Sequence, residues 1–212
     1  MRTATGRSPG MRPAPFRSAL LAAVVAALVG ATAAVSAPAS NPHVPGFHGY
    51  RVLDPVASDF ALRDQNGSVV RLSAQHGKLV LLTFLYTNCP NVCPLIASNL
   101  GLVLHALPVE QRRQVSVIAV SVDPAHDTRS AVRRFVAEHR LPSQFHYLIG
   151  SADELKPIWQ AYNLLIDVKS VELVSHTAYV LLLDRSGKPR LYYPSSVTSA
   201  ALLHDVKKLL AQ

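Results

Sequence analysis

The chain has two cysteines, Cys89 and Cys93, which lie four residues apart in the segment Thr87-Asn-Cys-Pro-Asn-Val-Cys-Pro94. An apolar run precedes this segment and a predicted helix follows it, so the sulfur atoms lie where free N–H groups and the helix macrodipole favour a thiolate. Residues at i and i+4 share one face of a helix. The pair can therefore close a disulfide or hold one soft cation, and these residues alone leave both chemistries open.

The metal alternative needs a third ligand, and His176 is the predicted one. Two thiolates suit Cu(I) and one imidazole completes a trigonal site, whereas zinc would normally need a fourth ligand and the chain has no third cysteine. His176 precedes an apolar run at a predicted loop-to-strand junction, where thioredoxins carry a cis-proline opposite their cysteines. No proline stands there in this chain, which favours ligation over plain dithiol exchange. We expect the other histidines, including His105 and His126, on the surface or in hydrogen-bonded core positions.

Composition and charge describe a globular protein with an unusual N-terminus. Hydrophobic residues make up 49% of the 212 residues and charged residues 16%, which excludes disorder for the bulk of the chain. Four arginines precede the first apolar run, and without them the 21 basic residues fall to 17 against 13 acidic residues. The remainder has no long basic run and no alternation of aromatic and basic residues. Nucleic-acid binding is therefore not expected.

The first 49 residues predict export rather than a second domain. Residues 18–37 are uncharged and follow the four arginines, so residues 1–37 read as a signal peptide or a signal anchor. About 20 residues can span a bilayer, which favours the anchor, whereas the richness in alanine favours cleavage. We expect residues 38–49, which are rich in proline and glycine, to form a flexible linker. The domain, residues 50–212, is then exported to the outer side of the cytoplasmic membrane.

Apolar runs and amphipathic segments alternate along residues 50–212. An Asn-Gly turn at residues 64–67 joins two short predicted strands, and continuous apolar runs predict strands buried on both faces. The main strands are expected at 78–86, 114–122, 145–149, 177–183 and 189–193, and the helices at 94–107, from 127 or 128 to 139, 151–162 and 199–210. This order predicts an α/β fold of the thioredoxin-like (peroxiredoxin-like) kind, a central sheet covered by helices on both faces.

Two acidic residues follow the second buried strand, in Ser121-Val-Asp-Pro-Ala-His-Asp-Thr128. Loops at the carboxyl ends of strands are where open α/β sheets build their sites. We expect Asp127 to serve helix capping and loop closure, and Asp123 to be the candidate neighbour of the cysteine segment.

From about Phe60 to Tyr193 the sequence resembles the Sco/SenC family of copper proteins. The matching motifs keep their order and spacing over nearly the whole domain. They are Phe60-Ala-Leu, Asp64-Gln-Asn-Gly67, Gly77-Lys78, Phe84-Leu-Tyr-Thr-Asn-Cys-Pro-Asn-Val-Cys-Pro94, Ser121-Val-Asp-Pro124 with Asp127-Thr128, Leu148-Ile-Gly150, and His176-Thr177 before a strand and the Gly187 turn.

The resemblance implies a copper chaperone for assembly of the CuA centre of cytochrome c oxidase. Cys89, Cys93 and His176 inherit the family's ligand roles, for Cu(I), Cu(II) or both. The implied partners are the oxidase subunit that carries CuA and other periplasmic carriers of copper or thiols. Asn91 and Ser175 stand where the family commonly has aspartate. The departure at residue 175 bears on affinity and metal preference, because a carboxylate next to a ligand can orient its ring.

An enzyme remains the alternative to a chaperone. A thiol–disulfide oxidoreductase would attack a target disulfide with one thiolate and resolve the mixed disulfide with the other, and the family has been proposed to reduce a disulfide of the oxidase subunit. This alternative predicts that His176 is dispensable. A peroxidase is less favoured, because no arginine lies close in sequence to the cysteines, and a purely structural domain would leave the cysteine motif unexplained.

Overall fold

The computed structural model describes residues 42–53, 58–170 and 173–212, and for residues 167–170 and 173–176 it describes the backbone alone. The predicted signal or anchor over residues 1–37 lies outside the described residues. Within the described part of the chain, no helix combines the length and apolarity that a membrane span requires.

Ten strands are described, six of which form the central sheet. In chain order they are β1 (Tyr50–Arg51), β2 (Ala61–Arg63), β3 (Val69–Arg71), β4 (Leu79–Leu85), β5 (Val115–Ser121), β6 (Phe145–Leu148), β7 (Ile166–Ser170), β8 (Leu173–His176), β9 (Tyr179–Leu183) and β10 (Pro189–Pro194). The central order is β1-β10-β9-β4-β5-β6, and β2–β3 and β7–β8 are separate hairpins. Strands β4, β5 and β6 are parallel, whereas β9 runs antiparallel to both β4 and β10.

Five α-helices and one 3₁₀ turn accompany these strands in the described residues. They are the 3₁₀ turn Ser73–Gln75 and the helices α1 (Val92–Ala106), α2 (Val109–Arg112), α3 (Arg129–Glu138), α4 (Ala152–Ala161) and α5 (Ser199–Leu210). Helices α1 and α5 pack against each other. The predicted α/β order is therefore confirmed.

The core is centred on β4 and β5, in which every residue is buried. Because every residue is buried, side chains on both faces of these two strands are covered by the rest of the domain. The ring of Phe84 in β4, for example, packs 5.5 Å from the ring of Tyr162, which ends α4. Each fully buried leucine or valine side chain contributes about 1.5–3 kcal/mol to folding. These strands form a rigid base for the loops at their carboxyl ends.

Helix α4 starts where the sequence predicts, whereas helix α1 starts two residues earlier than predicted. Ser151 and Glu154 form a capping box, and α4 begins directly after Ser151. Pro157 lies inside α4, where a proline can kink a helix or delay its start, and the start is not delayed. Helix α1 begins at Val92 and not at Pro94, which brings Cys93 into its first turn.

Residues 42–49 pack on the domain, in contrast to the flexible linker predicted over residues 38–49. His43 forms a β-bridge with Tyr50, and the carboxylate of Asp205 in α5 accepts the backbone N–H groups of His48 at 2.9 and 3.0 Å and of Gly49 at 2.9 Å. The prediction took proline and glycine as signs of an irregular tether. A buried carboxylate instead gives this irregular segment a fixed partner.

Candidate functional site

The cysteine loop, residues 86–91, connects the end of β4 to the start of α1. The N–H of Cys89 donates to the carbonyl of Tyr86 at 3.3 Å. The Cys89 sulfur in turn accepts the N–H of Cys93 at 3.3 Å, whereas the N-cap residue Asn91 makes no side-chain capping hydrogen bond. A free N–H group at the helix N-terminus needs an acceptor, and the Cys89 sulfur supplies it. This explains why α1 begins before Pro94.

The two cysteines differ sharply in exposure and in pKa. Cys89 is half-buried, whereas Cys93 is 0% exposed. A hydrogen bond from the Cys93 thiol, helped by N–H groups of Cys93 and Asn91 and by the Tyr86 side chain, lowers the pKa of Cys89 from 9.0 to about 5 against the effect of burial. The same hydrogen bond, together with burial, raises the pKa of Cys93. These opposite shifts favour the thiolate form at Cys89 and the thiol form at Cys93.

The backbone of His176 lies at the same edge of the central sheet as the cysteine loop. His176 ends β8, opposite Ile166 in the hairpin β7–β8, and only two residues separate it from the start of β9. The start of β9 is held to the end of β4, because the Thr83 hydroxyl donates to the Tyr179 carbonyl at 2.7 Å. The side chains of His176 and Ser175 lie outside the described residues, so ligation by His176 stays a prediction.

A buried carboxylate fixes the start of the cysteine loop. Oδ1 of Asp127 accepts the N–H of Thr87 at 2.8 Å and its hydroxyl at 2.7 Å. Oδ2 accepts the hydroxyl of Ser121 at 2.6 Å and that of Tyr147 at 3.2 Å. Asp127 is only 3% exposed. It therefore joins the cysteine loop to the end of β5 and to β6.

The prediction for Asp127 was therefore wrong in part. The hydroxyl of Thr128 caps α3 by accepting the N–H of Ala131, which leaves Asp127 to the cysteine loop. Asp123, the candidate neighbour of the cysteines, has its carboxylate oxygens 2.8 and 2.9 Å from Nδ1 of His126. The signal for Asp127 was available in principle, because Leu85 and Ser121 end parallel strands in register and the residues that follow them must meet.

Burial raises the pKa of Asp127, and the nearby charge of Asp123 acts in the same direction. The hydrogen bonds from Ser121 and Thr87 act in the opposite direction because they favour the charged form. The charge of Asp127 also contributes to the raised pKa of Cys93. The carboxylate is thus electrostatically coupled to the cysteine pair.

Most of the other histidines with described side chains have partners away from the cysteines. His105 lies in the last turn of α1, at the opposite end from Cys93, with Nε2 3.0 Å from the Arg140 carbonyl. The part of the chain with described side chains contains no group of three or more His, Cys, Asp or Glu arranged to hold a metal ion. That part does not include the side chain of His176, so the predicted three-ligand set is not tested by it.

Comparison with known proteins gives one consistent family. The SCO1/SenC family model matches residues 49–211. The solution structure of apo Sco1 from Thermus thermophilus is 32% identical, covers 77% of this chain and 96% of its own, and superposes with a TM-score of 0.67. Bradyrhizobium japonicum ScoI, solved with copper bound, is 28% identical and covers 73% of this chain and 99% of its own, with a TM-score of 0.65.

A third structure, of BsSco, supports the fold. It is 24% identical, covers 75% of this chain and 95% of its own, and has a TM-score of 0.64. BsSco is described as carrying a disulfide switch and as a member of the Sco family of cytochrome c oxidase assembly proteins. The predicted thioredoxin-like fold is confirmed by these structures. The family model covers most of the domain, and the chain therefore belongs to the SCO1/SenC family.

Proposed function

We propose that this protein is a copper chaperone that holds copper through Cys89, Cys93 and His176 and delivers it to the CuA-bearing subunit of cytochrome c oxidase. The observation that carries the proposal is the placement of both cysteines at the N-terminus of α1, where the Cys89 sulfur accepts the N–H of Cys93 at 3.3 Å and a hydrogen bond from the Cys93 thiol lowers the pKa of Cys89. A relative at 28% identity was solved with copper bound, and the Sco family is described as one of cytochrome c oxidase assembly proteins.

The chemistry of the sulfur pair fits copper as cargo. Thiolates are soft ligands that select Cu(I) over hard divalent ions, and few ligands suffice for it. The hydrogen bond between the two side chains keeps the sulfur atoms close, so little rearrangement is needed to bind one ion. An imidazole from His176 would complete a set that can also hold Cu(II).

The test is the copper content of His176→Ala. The full-length chain, purified in a mild detergent and reduced, is loaded anaerobically with Cu(I), and bound copper is measured after gel filtration. His105→Ala, at the far end of α1, is the matched histidine control. We expect one copper per chain in the wild type and in the control, and a sharp loss in His176→Ala, which should still form its disulfide. Unchanged copper in His176→Ala would remove His176 from the ligand set, and a copper-free wild type would remove the chaperone function.

The unequal burial of the two cysteines favours a second candidate, a thiol–disulfide oxidoreductase. The half-exposed Cys89 thiolate can attack a target disulfide, forming one S–S bond and releasing a target thiolate that takes up a proton. Buried Cys93 then gives up its proton and attacks Cys89, which yields the internal disulfide and the second target thiol. In this case Cys93→Ser traps the target on Cys89, whereas Cys89→Ser traps nothing. Turnover of a disulfide substrate that survives in His176→Ala would favour this candidate.

The location of the site follows from the predicted export segment. We propose that residues 18–37 anchor the chain in the cytoplasmic membrane with the domain on the exported side, where an oxidase subunit can receive copper. The positive flank and the uncharged length of the segment support this. Fractionation followed by a carbonate wash tests it: an anchored chain stays with the membranes at its full mass, and a cleaved one is released and shorter.

A further inference from the structure

The Asp127 carboxylate contacts the cysteine loop at Thr87, two residues before Cys89. Burying a carboxylate is costly unless its oxygens accept hydrogen bonds. Four donors surround this one, and they come from three separate parts of the fold. Capping of α3 cannot explain the arrangement, because Thr128 already supplies the cap.

The position of Thr87 decides where the Cys89 sulfur can lie. Between Thr87 and the first turn of α1 the cysteine loop is only half-buried or exposed. Its inward contacts include the N–H of Cys89 on the Tyr86 carbonyl and the N–H of Cys93 on the Cys89 sulfur, both at 3.3 Å. The bonds to Asp127, at 2.7 and 2.8 Å, are the shorter ones, and a charged acceptor makes them stronger. Without Asp127, Thr87 at the start of the cysteine loop would lose the two shortest of these hydrogen bonds.

We propose that Asp127 is the positioning residue of the cysteine loop: by fixing Thr87 to the ends of β5 and β6, it holds the Cys89 sulfur within reach of Cys93. A fixed pair of sulfur atoms closes a disulfide at a high effective concentration and presents a ready-made site for one copper ion. The copper part of this inference rests on the proposed function, whereas the disulfide part stands without it.

The chain offers a matched control in Asp205. Its carboxylate is also buried, and it also accepts backbone N–H groups and a tyrosine hydroxyl, in this case that of Tyr193 at 2.8 Å. The bound backbone belongs to residues 48–49 and not to the cysteine loop. Loss of Asp205 therefore imitates the structural damage of losing Asp127 without touching Thr87.

The experiment compares Asp127→Ala, Asp127→Asn and Asp205→Ala in the full-length chain in mild detergent. The dithiol–disulfide equilibrium is measured against glutathione, whose oxidised form takes the two electrons and becomes two glutathione thiols. Cu(I) affinity is measured by competition with a chromogenic chelator, and folding by the thermal midpoint. Asn keeps an oxygen for the Thr87 N–H, and its amide N–H₂ can donate to the hydroxyl oxygens of Ser121 and Tyr147.

Asp127→Ala is expected to lower the equilibrium constant for disulfide formation and the Cu(I) affinity about tenfold each, and Asp127→Asn to restore most of both. Asp205→Ala is expected to lower the thermal midpoint and leave both constants unchanged. Equal losses in Ala and Asn, or equal losses in Asp205→Ala, would overturn the positioning role.

Two further results keep the inference separate from the proposed function. If Asp127→Ala does not fold, Thr87→Val replaces it, because this variant removes the 2.7 Å hydroxyl bond to Asp127 and keeps the backbone N–H bond. Thr87→Val should shift the disulfide equilibrium in the same direction by a smaller factor. No shift would overturn the inference. A wild type that binds no copper, with a disulfide equilibrium that still depends on Asp127, would refute the chaperone and support the positioning role.

Discussion

Two buried carboxylates in this protein do similar work for two different segments. Asp127 fixes the cysteine loop through the N–H and hydroxyl of Thr87, and Asp205 fixes residues 42–49 through the N–H groups of His48 and Gly49. Each also accepts a tyrosine hydroxyl. In both places a segment without regular structure gains a defined position from one charged acceptor in the core.

The two regions differ in whether the hydrogen-bond donors can find another partner when the carboxylate is replaced. Three of the four donors at Asp127 are hydroxyl groups, which can rotate and can also accept. At Asp205 two neighbouring backbone N–H groups donate to the carboxylate. A backbone N–H cannot rotate towards another acceptor and cannot itself accept a hydrogen bond. We infer that loss of the Asp205 carboxylate lowers the free energy of unfolding more than loss of the Asp127 carboxylate does. Loss of Asp127 should instead act mainly on the disulfide equilibrium of the cysteine pair.

The largest expected effect is on stability, in Asp205→Ala. The change leaves buried N–H and hydroxyl donors without an acceptor and should lower the free energy of unfolding by about 3–5 kcal/mol. Chemical denaturation of the reduced protein measures it, with Asp205→Asn as the milder variant. A loss below about 1 kcal/mol would contradict the view that this carboxylate organises residues 42–49.

Substitution of the two tyrosines compares the regions at matched positions. Tyr193→Phe and Tyr147→Phe each remove one hydroxyl from a buried carboxylate and should each lower the free energy of unfolding by about 1–2 kcal/mol. Only Tyr147→Phe should also shift the disulfide equilibrium, by about threefold. Glutathione titration and denaturation on the same samples separate the two effects. A shift of the disulfide equilibrium in Tyr193→Phe would break the distinction between the regions.

The pH dependence of stability should identify Asp127. Burial raises the pKa of Asp127, so the folded protein binds this proton more tightly than the unfolded chain does. The resulting contribution to the free energy of unfolding is present at acid pH and is lost as the pH rises through the raised pKa. Asp127→Asn is neutral throughout. Wild-type stability minus that of Asp127→Asn should therefore fall as the pH rises from below the ordinary pKa of an aspartate through the raised pKa of Asp127.

Denaturation at a series of pH values measures this difference. The groups that act on Asp127 from the elements around it, Thr87, Ser121, Asp123, Tyr147 and Cys93, are present in both proteins. Their own contributions to stability are common to both proteins and largely cancel in the comparison. A difference that rises with pH would mean that the hydrogen bonds to Asp127 outweigh its burial.

The smallest expected effect is at Lys208, on the surface of the Asp205 region. Its ammonium donates to the Gly46 carbonyl at 2.6 Å and lies 4.5 Å from the centre of the Phe47 ring. Lys208→Met should cost about 0.5–1 kcal/mol, because exposed contacts of this kind are weak. Thermal unfolding measures it, with Lys207→Met as the control for loss of one charge. Equal shifts in the two variants would show that the contact with residues 46–47 contributes nothing.

The sequence predicted those parts of the molecule in which the signal is local. Continuous apolar runs located β4 and β5 to within one residue at each end, and the ends of α5 were predicted correctly. The hairpin β7–β8 was missed, although Ile166 and Val168 alternate with polar residues, because no glycine, proline or asparagine marks a turn between its strands.

The role of Asp127 could not be taken from local pattern for a different reason. Its partner Thr87 lies 40 residues earlier in the chain, and the two meet because the ends of β4 and β5 are in register. The spacing between Cys89 and Cys93, in contrast, is a local property. The sequence therefore predicted Cys89 and Cys93 as candidate site residues, but it did not predict that Asp127 contacts the loop that carries Cys89.

The unequal burial of the two sulfur atoms has a kinetic consequence. A partner that approaches this surface reaches the Cys89 sulfur first, because Cys93 is 0% exposed. Under the proposed function, transfer of an ion or a disulfide to a partner would therefore proceed in order, with Cys89 exchanging first and Cys93 last. Discrimination between partners would lie in how well each one can complete that final step.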